Sequence, residues 1–277
     1  MLRRVPIRSP STRTPSGATN TYVLGDLLVD PAGRHPDLDR IVEARPIEHV
    51  VVTHTHPDHV GAVAEYAASA EATAWAPKAF ADRFENATGM GPDATFEDGD
   101  VIGDVEATAI GTPGHAIDHV AFAVDCSDED VTFAVDHLDE EDANDPDHGG
   151  QEVILSGDLA VADGSVVVGP DGGGLRTYLE SLRRLRDRDP AVLYPGHGPA
   201  IDDPEATLNR LIHHRLDRER SILDAIETGA SDVSEVLDRA YEKDLTGVED
   251  LARETVRAHL EKLIEEGRID DSWHDRV

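Results

Sequence analysis

The chain has 277 residues, with 57 Asp and Glu against 25 Lys and Arg and a formal net charge of −32. Acid is spread along the whole length and Lys78, Lys243 and Lys262 are the only lysines. This composition fits high salt, where carboxylates hold water and hydrated cations and ionic screening removes their self-repulsion. A sole cysteine, Cys126, excludes an intrachain disulfide and leaves the cytoplasm as the default location. Met1 to Gly17 has no apolar leader core, and no run approaches the roughly 18 apolar residues of a membrane span, so neither secretion nor insertion is expected.

Thr21 to Asp30 reads as two short strands around a Gly25-Asp26 turn. Ile47 to Thr53 is an apolar strand running into a histidine-rich stretch, and Ala62 to Ala70 follows with helical spacing. Further strand-like runs lie at Val101 to Ile110, His119 to Val124, Glu152 to Leu155 and Ala191 to Tyr194. Between the last two, Leu175, Leu179, Leu182 and Leu185 mark a helix to Arg186. This alternation implies an α/β layered domain. Asp125 to Gly150 breaks the rhythm and, being polar and rich in turn formers, is read as a solvated surface excursion. Asp203-Pro204 is a helix start, an acid at the N-cap with proline at the first helical position, and helix continues to about Glu227. Ser231 to Tyr241 and Val248 to Glu266 give two more helices, and Arg268 to Trp273 a short terminal strand. The expected organisation is an α/β domain over 1–202 and a helical, winged-helix-like domain over 203–277.

The chemistry concentrates in His54-Thr55-His56-Pro57-Asp58-His59, directly after an apolar strand. Three imidazoles and a carboxylate on one tight loop need partners, and these are the donor types of zinc and other borderline divalent metals. The cluster holds more donors than one tetrahedral catalytic ion uses, which implies two ions. Three later stations follow strands in turn: Thr112-Pro113-Gly114-His115, Ser156-Gly157-Asp158 and Tyr194-Pro195-Gly196-His197-Gly198.

The stretch THTHPDH resembles the HxHxDH signature of the metallo-β-lactamase superfamily, and the later stations come in the order that family requires. The resemblance implies an αββα sandwich and assigns His54, His56 and His115 to one metal and Asp58, His59 and His197 to a second, with Asp158 bridging them. The cofactors implied are two divalent ions, zinc first, with iron or manganese as the alternatives. A water activated by the metals would attack the substrate, Asp58 orienting it and accepting a proton. Asp118 and His119, just past His115, are candidate catalytic groups, either supporting the ligands or serving as acids on the substrate side. The C-terminal segment, with His214-Arg215, Arg218-Glu219 and Ala258-His259-Leu260-Glu261-Lys262-Leu263, resembles the winged-helix tail of the lactamase-β-2-like branch, and the acidity is of the haloarchaeal type.

His35, His49, His137, His148, His213, His214, His259 and His274 lie outside these motifs and are read as ordinary structural or surface histidines. Gly172-Gly173-Gly174 lacks the lysine that follows a phosphate-binding loop and is read as a helix lead-in. Three functions compete: hydrolysis of a small acyl compound (thioester, ester or lactone), cleavage of single-stranded RNA, and a non-catalytic metal-stabilised binding module. The acyl reading needs only the metal site and a modest pocket. The RNA reading draws on the tail and on Arg176, Arg183, Arg184, Arg186 and Arg188, a candidate phosphate-binding patch whose spacing reads better as an exposed helix face. The expected partner is accordingly a small acyl substrate or single-stranded RNA, without a membrane, and a homodimer is left open.

Overall fold

The computed structural model describes residues 2–12, 14, 16–125, 151–241 and 245–276. The excursion expected over Asp125 to Gly150 falls, from residue 126 on, outside the described residues. A first sheet has the order β1 (Leu2–Arg8), β2 (Ala18–Leu24), β3 (Leu27–Val29), β4 (His49–Val51), β5 (Thr73–Pro77), β6 (Ala94–Phe96). A second has β7 (Val101–Ile102), β8 (Ala107–Gly111), β9 (Val120–Asp125), β10 (Glu152–Gly157) and β11 (Val192–Pro195) in sequential order across the sheet. In the first sheet β1 to β3 run antiparallel and β3 to β6 parallel. Strand β2 turns into β3 at Gly25-Asp26 with Leu24 opposite Leu27, the expected hairpin.

Alternation along the strands sends one set of side chains between the sheets and the other outward. The inner set, including Leu24, Leu27, Val51, Phe122, Leu155 and Tyr194, forms the core of the sandwich. Outward residues of the first sheet, Val23, Leu28 and Val50 among them, are covered by helices α1 (Pro36–Ala44), α2 (Val63–Ala70) and α3 (Ala81–Thr88), which contribute Leu38, Tyr66 and Phe84. The outer face of the second sheet is covered by α4 (Gly174–Arg186), whose Leu175, Leu179, Leu182 and Leu185 are buried at the expected spacing, and by the start of α5 (Pro204–Glu227). Each such leucine contributes about 1.5–3 kcal/mol by leaving water. The result is an αββα sandwich.

Asp203 caps α5 as expected, its side chain accepting from the Ala206 amide at 3.0 Å. Leu208, Leu211 and Ile212 of α5 pack on the sandwich, while Ile222 and Ala225 join a separate cluster with α6 (Val233–Ala240) and α7 (Glu249–Glu265). The terminal strand expected at Arg268 to Trp273 is not formed. Asp271–Arg276 is a 3-10 turn instead. Asp270 accepts from the Ser272 amide at 2.9 Å, turning the backbone at once, and this delivers Trp273 into the apolar cluster of α6 and α7. Among the described residues no helix is long and apolar enough to cross a membrane.

Strand direction places the site. Strand β9 runs antiparallel to both β8 and β10, and β10 runs parallel to β11, so β8, β10 and β11 all end at the same edge of the second sheet. The loops after these strands carry His115, Asp158 and His197, and β9 begins at that edge with Asp118 and His119 just before it. The loop after β4 meets them across the sandwich, tied by the Val120 amide donating to Thr53 O at 2.7 Å.

Candidate metal centre

The structure brings together all seven side chains that the sequence offers as candidate ligands. His54, His56 and His115 form one group, Asp58, His59 and His197 another, and Asp158 joins His54 and His59 between them. His56 Nδ1 lies 2.9 Å from His54 Nε2 and 3.0 Å from His115 Nε2. His197 Nε2 lies 3.2 Å from Asp158 Oδ2 and 3.6 Å from Asp58 Oδ2, and His59 Nε2 lies 3.5 Å from Asp158 Oδ1. Ligand atoms about 2.0–2.1 Å from a tetrahedral zinc ion stand about 3.3 Å apart, and these separations bracket that value.

The far side of each ring decides what the near side offers. His59 Nδ1 donates to Asp30 Oδ2 at 2.9 Å, His115 Nδ1 to Val167 O at 2.8 Å and His197 Nδ1 to Ala18 O at 2.9 Å. Thr53 Oγ1 gives its own proton to Asp30 Oδ2 at 2.7 Å and so accepts from His54 Nδ1 at 3.1 Å. Four imidazoles are thereby held in the tautomer whose Nε2 lone pair faces the centre. Two of the atoms facing it, His59 Nε2 and Asp158 Oδ1, are buried and have no hydrogen-bond partner within the protein. Orphaned buried acceptors of this kind cost free energy unless a ligand satisfies them, and the set of imidazole and carboxylate atoms fits divalent metal.

Electrostatics divide the rings into two kinds. Burial lowers the pKa of His54, and of His56 to about 4, with neighbouring imidazoles adding to the effect. Burial works against charge on His59 too, but Asp158 and Asp30 overcome it and raise the pKa. Burial likewise opposes the Asp158 carboxylate, and His59 and His197 nevertheless hold it well below the ordinary range. Close packing makes glycine necessary at two points. A Cβ on Gly157, at φ +48°, would stand 2.7 Å from His119 Nε2, and one on Gly196 would stand 2.4 Å from Asp158 Oδ1.

Asp118 and His119 are both buried beside the ligands. Asp118 Oδ2 accepts from the Thr55 amide at 3.1 Å and the Thr55 hydroxyl at 2.6 Å, fixing the loop between His54 and His56, with Arg83 Nε 3.3 Å from Oδ1. His119 Nε2 accepts from the Asp158 amide at 3.1 Å, and Nδ1 pairs with the Thr112 hydroxyl at 2.8 Å. Burial, then the nearby His115, lowers its pKa to about 3, so it is neutral with both nitrogens committed.

Sequence reasoning missed Asp30, Asn20, Tyr22 and Arg83. Asn20 Nδ2 donates to Pro195 O and Gly198 O, both at 2.9 Å, and Tyr22 Oη donates to Pro195 O at 2.7 Å, so β2 shapes the His197 turn. An acid closing an apolar strand, as Asp30 closes LLVD, was the one available signal. A separate trio, Asp26, Glu48 and His49, clusters where β3 and β4 begin, at the opposite end of these strands from the metal centre. There Trp75 Nε1 donates to His49 Nδ1 at 3.1 Å, which places the neutral ring's proton on Nε2, 3.4 Å from Asp26, and leaves no lone pair for a metal.

An αββα sandwich with two groups of imidazole and carboxylate at one edge, sharing a carboxylate, defines a metal-binding class of fold. The chain belongs to the metallo-beta-lactamase superfamily, whose family model matches residues 14–197. It is 27% identical over 271 residues to a beta-lactamase-like protein 2 homolog of Caenorhabditis elegans, covering 91% of this chain and 81% of that one. A Drosophila melanogaster homolog of the same name is 24% identical over 291 residues, 94% of this chain and 87% of its own, which supports the lactamase-β-2-like branch. The thioesterase pkgB of Emericella nidulans is 31% identical over 216 residues, 74% of this chain, and the chain spans 53% of its length. Among solved structures, a beta-lactamase domain protein from Burkholderia ambifaria superimposes with a TM-score of 0.74 at 19% identity, covering 100% of this chain and 89% of that one, which shows the fold.

Proposed function

We propose that this chain is a dinuclear metal-dependent hydrolase, with zinc as its metal, acting on a small acyl compound such as a thioester, ester or lactone. The observation that carries the reading is the set of imidazoles held with their lone pairs inward around unpartnered Asp158 and His59 atoms. The chemistry two such cations supply when bound is a water acidic enough to ionise near neutral pH and a polarised acyl oxygen. Asp58, with its side chain 14% exposed and Oδ2 3.6 Å from His197 Nε2, orients the water and takes its proton at that oxygen. His119 and Asp118 position the centre, the first through the Asp158 amide and the second through Thr55.

Two features favour the acyl substrate over RNA. A cavity of about 690 Å³, walled by Phe80, Phe96, Pro113, Ile117 and Val120 with Lys78, Glu97 and Asp98 at its side, reaches Asp118 and His119 next to the ligands though it touches none of the seven, and its size suits a small molecule. Four of the five arginines offered for phosphate are already engaged: Arg176 pairs with Glu265, Arg184 with Asp98, Arg186 with Asp187 and Arg188 with Glu152. A thioesterase among the relatives points the same way. The test is a parallel assay in high salt of a thioester, ester and lactone panel against single-stranded RNA, with elemental analysis of the purified protein. Turnover of an acyl compound with two metal ions per chain is expected. RNA cleavage without acyl hydrolysis, or active protein free of transition metal, refutes the reading.

A further inference from the structure

After β10 the chain crosses from Asp158 toward α4 with no helix or strand before the turn at Pro170–Gly172. Carbonyls in such a crossing need partners from elsewhere. Helices α4 and α5 supply them. Tyr178 Oη donates to Leu159 O at 3.0 Å, and Arg210 donates to Val161 O and Ala162 O at 2.9 Å and to Gly164 O at 2.7 Å. Arg215, 2% exposed, donates Nη2 to Val166 O and lies with its guanidinium carbon 5.3 Å from the centre of the Tyr178 ring. The next carbonyl, Val167 O, is the one that accepts from His115 Nδ1. Asp158 and the anchor of His115 are thus the two ends of one crossing, pinned by α5.

The other group is supported differently. His59 rests on Asp30 and His197 on Ala18 O, both from the N-terminal strands and their connections. Arg215 is also a poor choice for packing alone. Its Nε is buried without a partner, and an apolar side chain of similar volume would fill the space without that desolvation cost. What arginine adds is a charged donor aimed at Val166 O.

We infer that Arg215 and Arg210 of α5 are positioning residues for the metal held by His54, His56 and His115: they fix Val166 O and the carbonyls before it, and so place the next one, Val167 O, which fixes the tautomer of His115. The inference rests on the metal-centre reading above. Loss of a group that orients a metal-ligating imidazole typically costs 10–100-fold in metal affinity, and a group one bond further out is expected at the lower end, about tenfold. It follows that the helical C-terminal region contributes to metal loading at one of the two positions and not to the other.

The experiment is zinc titration of the full-length protein against a chromophoric chelator, with the Co²⁺ absorption spectrum as a second readout. Wild type is expected to bind two ions. Arg215→Met is expected to lose about tenfold in affinity for one ion and keep the other, with an altered cobalt spectrum, and Arg215→Lys to recover part of the loss. Arg210→Gln, at an exposed position, is expected to shift the same ion by less. Leu237→Ala, in the apolar cluster around α6, weakens the C-terminal region without touching the crossing and is expected to keep both affinities. A folded Arg215→Met protein with wild-type affinity for both ions overturns the inference, as does a loss that Leu237→Ala reproduces. Should Arg215→Met fail to fold, unchanged zinc binding by Arg210→Gln overturns it. Wild type that takes up no zinc sinks the metal-centre reading itself, whereas two ions with unaffected variants sink only the inference.

Discussion

Asp30→Asn changes one buried atom and is expected to weaken both metal positions. Asp30 accepts from the Thr53 amide at 2.6 Å, the Thr53 hydroxyl at 2.7 Å and His59 Nδ1 at 2.9 Å, using Oδ1 for the first and Oδ2 for the other two. If asparagine keeps its oxygen toward the Thr53 amide, its NH₂ faces the hydroxyl and His59 Nδ1. His59 must then accept at Nδ1 and carry its proton on Nε2, toward the metal. Thr53 must also reverse, donating to His54 Nδ1 and moving that proton to the metal side as well. The flipped amide instead sets two donors against each other at the Thr53 amide. The first orientation pushes one imidazole in each group to the wrong tautomer, the second leaves the buried Thr53 amide without an acceptor, and in both a bond to a charged acceptor, contributing about 1.5–3 kcal/mol, is weakened. Affinity for each ion should fall by about 10–100-fold, about 1.4–2.8 kcal/mol. Thr53→Val is the internal check, since it removes the acceptor for His54 and leaves the Asp30–His59 pair, so only the His54 group should weaken. Chelator competition measures the affinities, and long-range ¹H–¹⁵N spectra of the imidazoles report the tautomers. Wild-type zinc affinity in Asp30→Asn, with His54 and His59 still protonated at Nδ1, would falsify the tautomer argument.

Asp58→Asn should lower turnover by about 10²–10⁴-fold, the usual contribution of a positioned base, while the fold and the metal of the His54 group persist; near-wild-type turnover would remove Asp58 from the reaction. Gly157→Ala should destabilise the protein by more than about 1 kcal/mol and reduce metal content, because the residue sits at φ +48° with Thr53 and His119 both 2.7 Å from the new Cβ. A chemical denaturation midpoint equal to wild type would count against that packing. His259 is fully buried with neither ring nitrogen paired, and burial, then Arg215 and Arg218, lowers its pKa well below 6.5. The unfolded chain binds this proton below about pH 6.5 and the folded chain does not, so stability falls as pH drops, by up to about 1.4 kcal/mol per unit. His259→Leu should therefore flatten the decline in melting temperature between pH 6.5 and 5, and parallel curves for the two proteins would exclude the effect.

What the sequence made legible follows from where each interaction is written. Ligand side chains are chemical types at fixed offsets from strands, so His54, His56, Asp58, His59, His115, Asp158 and His197 could be named and are found together. Elements with clear periodicity, such as the leucines of α4, were equally readable. Strand β1, LRRVPIR, hid behind its arginines, and the alanine-rich β5, TAWAP, offers only Thr73 and Trp75 as strand formers and ends in proline. Val101 to Ile110 read as one run although Gly103-Asp104 repeats the dipeptide of the β2–β3 turn, and Gly103 at φ +74° with Glu106 at φ +52° makes it a hairpin.

The supports of the site were hidden for a deeper reason. Ala18 and Val167 act through backbone carbonyls, which every residue possesses, so their identity as apolar residues carries no trace of the role. Asp30 resembles any acid that ends a strand, and its role arises only because β3 and β4 pair in parallel and bring it beside Thr53. Ligand identity is local information, whereas the tautomer each ligand presents is set by chain segments up to 179 positions away, as the pairing of His197 with Ala18 shows. A motif can therefore survive intact in a chain whose centre has lost its metal, if a distant crossing or strand no longer holds the far side of one ring.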